Sequence, residues 1–257
     1  MNEQSSAAER DGFSGSMFLY SQPELLSKEK HGHLGINPST RPYDFAKSAR
    51  AVPISLAEMR SAQRHYPIVF SDPKRPTLLA ALGVLDDVNL FVDEEGQWKK
   101  SAYVPAYLRC YPFALASRPD GQHAIVIDRA SPTIVEDSAQ PFFDGDALAA
   151  PVQEHVNFCA QFHAYIRATD DFCNKMVELD LLSGQQVNYK GEDGSEERTF
   201  ATYVAVDANK VDALDADVVL AMHKDGMLSS IYAQGFSLDN WIRLLERRKQ
   251  LGLGDWP

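Results

Sequence analysis

Cysteine is scarce. Cys110, Cys159 and Cys173 are the whole complement in 257 residues, too few and too unevenly spaced for a disulfide framework, and none stands in a Cys-x-x-Cys pair. A reducing compartment fits that usage. No apolar run approaches the roughly 18 residues of a bilayer-crossing helix. The first residues, Met1 to Arg10, place acids where a secretory signal carries bases, and no apolar segment follows. A Sec signal is therefore not expected, and a cytoplasmic address is. Basic charge is also short: 25 Lys and Arg stand against 36 Asp and Glu, a net −11. That argues against a nucleic-acid partner, because phosphate backbones are held by Lys and Arg. Gly-x-Ser-x-Gly, Walker, Gly-x-Gly-x-x-Gly and His-Glu-x-x-His patterns are all missing, so the usual hydrolase, nucleotide and metalloprotease signals are absent.

What is present is an ordinary globular composition, 44% hydrophobic and 24% charged, which reads as a soluble folded chain. Residues 1–16 are Ser, Ala, Gly and charge, and are expected to form a disordered tail. Residues 17–257 are expected to form a single domain, β-rich over about 45–145 and helix-rich over about 146–257. Pro23, Pro38, Pro42 and Pro53, with Gly32 and Gly35 between them, rule out long regular elements before residue 54 and predict an extended segment lying over the core.

The most informative feature is an internal echo. Val52-Pro53 opens an amphipathic stretch that runs through Arg64-His65-Tyr66-Pro67 into the apolar Ile68-Val69-Phe70. Val104-Pro105 opens a shorter one that runs through Arg109-Cys110-Tyr111-Pro112 into Phe113-Ala114-Leu115. In each copy the second proline forces Tyr out of the α region, so a helix ends where a strand begins. Turns at Ser71–Pro76 and Ser117–Gly121 then lead to apolar strands, Thr77–Leu85 and His123–Ile127. Between the copies, Asn89–Asp93 and Gln97–Lys99 flank Glu94-Glu95-Gly96, a hairpin signal. The predicted fold class is α+β: a mainly antiparallel twisted sheet with packed helices and a diverged internal duplication.

Pro151 opens a long helical segment in which Val152, Val156, Cys159, Phe162, Ile166, Cys173 and Met176 recur at three- and four-residue steps. Thr169-Asp170-Asp171 is placed to cap a second helix, so one bent element or two are both open. Strands are predicted at 185–190 and 199–206 around a Gly-Glu-Asp-Gly loop, and helices at 215–224 and 238–251.

His155, Cys159 and His163 fall at i, i+4 and i+8, which invites a metal. At 1.5 Å rise per residue, however, the two His backbones stand about 12 Å apart. One ion would have to draw both side chains together along the axis, so Cys159 in the core stripe with His at its edges is the simpler reading. Such a buried thiol is expected to have a raised pKa and little nucleophilicity. The acidic clusters Asp86-Asp87 with Asp93-Glu94-Glu95, and Asp144-Gly145-Asp146, suit turns and caps better than the twelve-residue calcium loop. No cofactor and no metal is expected. The paired corners carry the strongest binding hypothesis: Arg64, Tyr66, Arg109 and Tyr111 put a guanidinium fork and a phenol beside each strand start, groups suited to a carboxylate or glycan. The alternative is that both Tyr anchor the core and both Arg cap local carbonyls.

At these residues the sequence resembles the SapC family of bacterial proteins, through His65-Tyr66-Pro67-Ile68-Val69-Phe70, Asn89-Leu90-Phe91-Val92-Asp93, the run from Tyr103 to Phe113, and Leu228-Ser229-Ser230-Ile231-Tyr232-Ala233-Gln234. The likeness covers roughly residues 25–245. By its name the family implies bacterial surface-layer material. The function expected is a non-catalytic binding or accessory protein in a bacterial cell-surface or uptake pathway, with a peptide, glycan or protein partner. The alternatives are a metal-dependent oxygenase or hydrolase using scattered His and acidic residues, and an oligomeric surface-layer component that assembles as a homo-oligomer.

Overall fold

A computed structural model describes residues 16–118, 122–189 and 198–253. The expected tail (apart from Ser16), the tip of the turn at 119–121 and the loop at 191–194 lie outside them. The chain begins with short elements: β1 (Pro23–Leu25), α1 (Lys28–His31), β2 (Leu34–Ile36) and β3 (Ala51–Pro53). This brevity is what the proline spacing dictates. A 3-10 turn, Leu56–Glu58, continues into α2 (Met59–Ala62), followed by β4 (Ile68–Phe70) and β5 (Leu78–Ala81). The second copy supplies α3 (Ala106–Cys110), β6 (Phe113–Ser117) and β7 (His123–Asp128). Then come β8 (Ile134–Glu136), β9 (Phe143–Asp144), β10 (Ala147–Leu148) and the long α4 (Ala150–Glu178). The chain continues through β11 (Leu182–Tyr189), β12 (Arg198–Val206), α5 (Ala208–Asp212), α6 (Ala216–Lys224), α7 (Met227–Ser237) and α8 (Asn240–Gln250).

Among the described residues all strand pairs are antiparallel, and the class is α+β. The echo is visible in the pairing. In the first copy β3, which precedes the helix, lies beside the second hairpin strand, giving the order β4-β5-β3. In the second copy β1 lies beside β7, giving β6-β7-β1. The two units sit in separate sheets instead of one continuous sheet: β11 and β12 extend the first unit to five strands, and the second stays at three. The physical reason is that β12 occupies the flank of β4 through Val204 and Phe70.

Two apolar clusters follow this division. One gathers Tyr66, Phe70, Leu78, Phe172, Met176 and Trp241. The other gathers Leu34, Cys110, Phe113, Ile127, Phe142 and Val156. Helix α4 serves both, its N-terminal half through Val152, Val156 and Cys159 and its C-terminal half through Phe172, Cys173 and Met176. At 1.5 Å per residue it is about 44 Å long. It does not restart at Thr169. That buried side chain donates to the Tyr165 carbonyl (2.7 Å) and accepts the Leu56 amide (2.9 Å), so its hydroxyl serves the helix and the first copy at once.

The segment 89–99 is a tight turn closed by a single Val92–Trp98 bridge, with Gly96 at φ +72°, and not a full hairpin. Helix α7 has no counterpart among the sequence expectations. Of its buried residues Ile231, Ala233, Gln234 and Ser237, the last two are polar, which blunts the apolar periodicity.

Gly35 in β2 marks the closest backbone approach near the site described next. A Cβ there would meet the Gln140 carbonyl oxygen at 2.3 Å and the Ser138 Cβ at 2.6 Å. Gly35→Ala is expected to cost about 2 kcal/mol through overpacking, read as a lower urea midpoint at unchanged slope.

Candidate functional site

Pro112 holds Tyr111 in extended backbone, φ −56° and ψ 136°, and so ends α3. The corner then presents the Tyr111 ring to a cavity of about 510 Å³. Its walls come from the end of β2 (Asn37, Pro38), the corner itself, the Gln140-Pro141 loop and the first turns of α4, where His155 faces in. The Tyr111 ring stacks on Phe45 at 3.7 Å between centroids and meets Tyr20 edge-on at 5.4 Å. Its hydroxyl donates to Asp128 at 3.0 Å. Asp128 is buried and also accepts the backbone amides of Ser21, Gln22 and Ala130. Burial, with this carboxylate beside it, pushes the Tyr111 phenol up to about 12. His155 Nε2 lies 2.8 Å from the Cys110 carbonyl oxygen. Among the described lining residues none is Asp, Glu, Lys or Arg; the remaining polar groups are Asn37, Ser39, Thr133 and Gln140.

A second cavity, of about 300 Å³, opens beside α4. Ile54, Leu78, Leu115, Phe162 and Ile166 give it apolar walls, and Cys110 and Cys159 both line it. The Cys159 sulfur approaches the carbonyl oxygens of Cys110 (3.9 Å) and Phe113 (3.8 Å). Contrary to the expectation for a buried thiol, Cys159 is held below the ordinary thiol range. The neighbouring Cys110 thiol favours its ionised form, and His155 adds to the effect against the opposing cost of burial. Cys110 is correspondingly pushed up, while contact with Cys159 pushes the His155 imidazole up against burial.

The four residues singled out in the sequence are placed differently from one another. Tyr66 is wholly buried, edge-on to Phe91 at 4.7 Å, and its hydroxyl donates to the Tyr103 carbonyl. Arg64 is exposed, and its carbonyl accepts from Arg243. Arg109 is exposed, donates to the Tyr103 hydroxyl at 3.0 Å and lies over the Phe158 ring at 4.7 Å. Tyr111 alone of the four lines either cavity. His155 and His163 face different cavities, with His163 packed on the His123 ring at 4.6 Å. Among the described residues no three His, Cys, Asp or Glu side chains converge as a metal site, and no helix is long and apolar enough to cross a membrane.

Sequence reasoning missed Asn37, Thr133, Gln140 and Asp128. Asn37, Thr133 and Gln140 line the same cavity as Tyr111 and Asp128 accepts its hydroxyl, all from separate parts of the chain that form no local motif. The pair His155 and Cys159 was signalled by its four-residue spacing, but the partner Cys110 was not.

A family model described as SapC matches residues 26–244. No curated protein and no solved structure matches the chain.

Proposed function

The chain belongs to the SapC family, and from that premise we propose that it is a non-catalytic binding or accessory protein that holds an uncharged peptide or glycan in the larger cavity. The carrying observation is the composition of that wall: aromatic and proline surfaces at Tyr111, Pro112 and Phe113, with neutral hydrogen-bonding groups at Asn37, Thr133 and Gln140 and no formal charge beside them except what His155 carries when protonated. Such a wall stacks on a sugar or prolyl ring and hydrogen-bonds hydroxyls or amides. It penalises a carboxylate or ammonium, which would be desolvated without a fixed partner. In this reading the binding site is Tyr111 and its neighbours in the cavity, while Arg109 lies at the surface, held against Tyr103 and Phe158.

A role in a bacterial surface or uptake pathway rests on the family name. A reducing compartment is part of the same reading and rests on the small number and uneven spacing of the cysteines.

The test is equilibrium binding to an array of neutral oligosaccharides and uncharged proline-containing peptides. Ala139→Trp serves as a cavity-filling variant, because Ala139 is exposed on the lining. Wild type is expected to bind at least one class, with affinity falling about tenfold or more in Tyr111→Ala and Ala139→Trp, a loss of roughly 1.4 kcal/mol. Equal binding by wild type and Ala139→Trp, or no binding by either, overturns the reading.

A further inference from the structure

The smaller cavity carries a different chemistry from the larger one. Its walls are mainly aliphatic and aromatic, with polar side chains at Thr77, His163, Thr169 and Asp170, and two thiols stand on them, Cys110 at the end of α3 and Cys159 in the middle of α4. Each residue is only a few percent exposed, 4% and 3%, so the cavity is their route to any reagent, and a macromolecular thiol has no direct approach. The Cys159 thiol donates to the Cys110 carbonyl oxygen at 3.9 Å, which sets its sulfur against the backbone of the other cysteine. On the other side of the pair His155 fixes that same carbonyl, 2.8 Å from Nε2. Neither thiol has a role in the binding reading of the larger cavity. Cys173, the remaining cysteine, belongs to the other apolar cluster and lines neither cavity.

The geometry points to a dithiol site that reduces small apolar organic hydroperoxides, with Cys159 as the attacking sulfur and Cys110 as the resolving one. The ionised form of Cys159, favoured by its partners, is the nucleophile. Its sulfur forms a bond to the terminal oxygen of the hydroperoxide, the O–O bond breaks, and the alkoxide departs, leaving Cys159 as a sulfenic acid. The Cys110 sulfur then attacks the Cys159 sulfur, the S–S bond forms and the S–O bond breaks. The proton that left Cys159 on ionising, held by His155, and the Cys110 thiol proton leave with the two oxygen atoms. One hydroperoxide and two thiols thus give one alcohol, one water and one disulfide, the peroxide gaining the two electrons that the sulfurs lose. The apolar wall selects the oxidant: an alkyl or aryl group enters with favourable burial, whereas hydrogen peroxide gains nothing from it.

The full chain, reduced and freed of reductant, is treated with one equivalent of cumene hydroperoxide. Thiols are titrated under denaturing conditions, and the protein is mapped by mass spectrometry. The expected result is a fall from three titratable thiols to one, with a Cys110–Cys159 disulfide, free Cys173, and cumyl alcohol formed in equal amount. The reaction is expected to run about tenfold or more faster than with hydrogen peroxide. Cys110→Ser is expected to stop at a sulfenic acid on Cys159 that a dimedone probe captures. Three surviving thiols in the wild type, a disulfide or adduct that includes Cys173, or equal rates with the two peroxides would each overturn the assignment. Because the decisive measurements are made on wild type, they stand whether or not the variant folds. They are also independent of ligand binding in the larger cavity, so either reading can fail alone.

Discussion

Glu58→Ala is expected to destabilise the protein by about 3 to 4 kcal/mol, the largest effect of any single substitution considered, because one carboxylate terminates two helical elements from different copies of the echo. Glu58 is buried, at 6% exposure. Its Oε2 accepts the Ser55 amide at 2.8 Å and the Ser55 hydroxyl at 2.9 Å, closing a capping box on its own 3-10 turn. Its Oε1 accepts the Ala106 amide at 2.7 Å and the Tyr103 hydroxyl at 3.1 Å. The N-cap position of α3 is Pro105, which offers no side-chain acceptor, so Glu58 supplies the missing cap from 48 residues away. Truncation leaves two backbone N–H groups buried without partners, each costing about 1 to 3 kcal/mol. Glu58→Gln keeps one acceptor and is expected to lose about half as much. Urea unfolding measures both, and a loss below about 1 kcal/mol for Ala would refute the account.

Gln234→Leu is expected to cost about 3 kcal/mol, for a related reason in the five-stranded sheet. Strands β4 and β12 pair only at Phe70 and Val204. Where the strands lose contact, α7 fills the gap with side chains. Gln234 Nε2 donates to the Ile68 carbonyl at 2.9 Å, and its Oε1 accepts the Val206 amide at 3.4 Å. Ser237 Oγ accepts the Ile68 amide at 2.8 Å. The amide side chain therefore stands where ladder bonds would otherwise run, and Leu, of similar size, keeps the packing while orphaning both backbone groups. Native-state hydrogen exchange sharpens the test: the Val206 amide is expected to lose protection by about tenfold or more relative to amides of the β6–β7 pair. Uniform loss across both sheets would instead mean that Gln234 acts only through global stability.

These two residues also show where sequence reading stops. Helix α4 was legible because Val152, Val156, Cys159 and Met176 repeat at helical steps and Pro151 marks the start. The two Tyr-Pro corners were legible because proline acts on its immediate neighbour. Thr169, Gln234 and Glu58 do their work across 113, 166 and 48 positions, and nothing local distinguishes them from a helix-capping or solvated residue. The site behaved likewise. Tyr111 was found through its motif, whereas Asn37 and Gln140 reach the same cavity through the fold alone. Arg64 and Arg109 share a motif, and chain geometry gives them different neighbours. The surroundings of Cys159 are hidden for the same reason: its thiol donates to the carbonyl of Cys110, 49 residues away.

The two Tyr-Pro corners, alike in grammar, have parted company in space. Tyr66 is sealed with its hydroxyl on a backbone carbonyl, and Tyr111 stands half-covered at the mouth of an opening. A repeated unit permits that division of labour. When one copy secures the architecture, its twin is released from that duty, and substitutions around it can retune what the opening accepts while the sheet behind stays put. Diversification among such proteins should then gather around the second corner and spare the first.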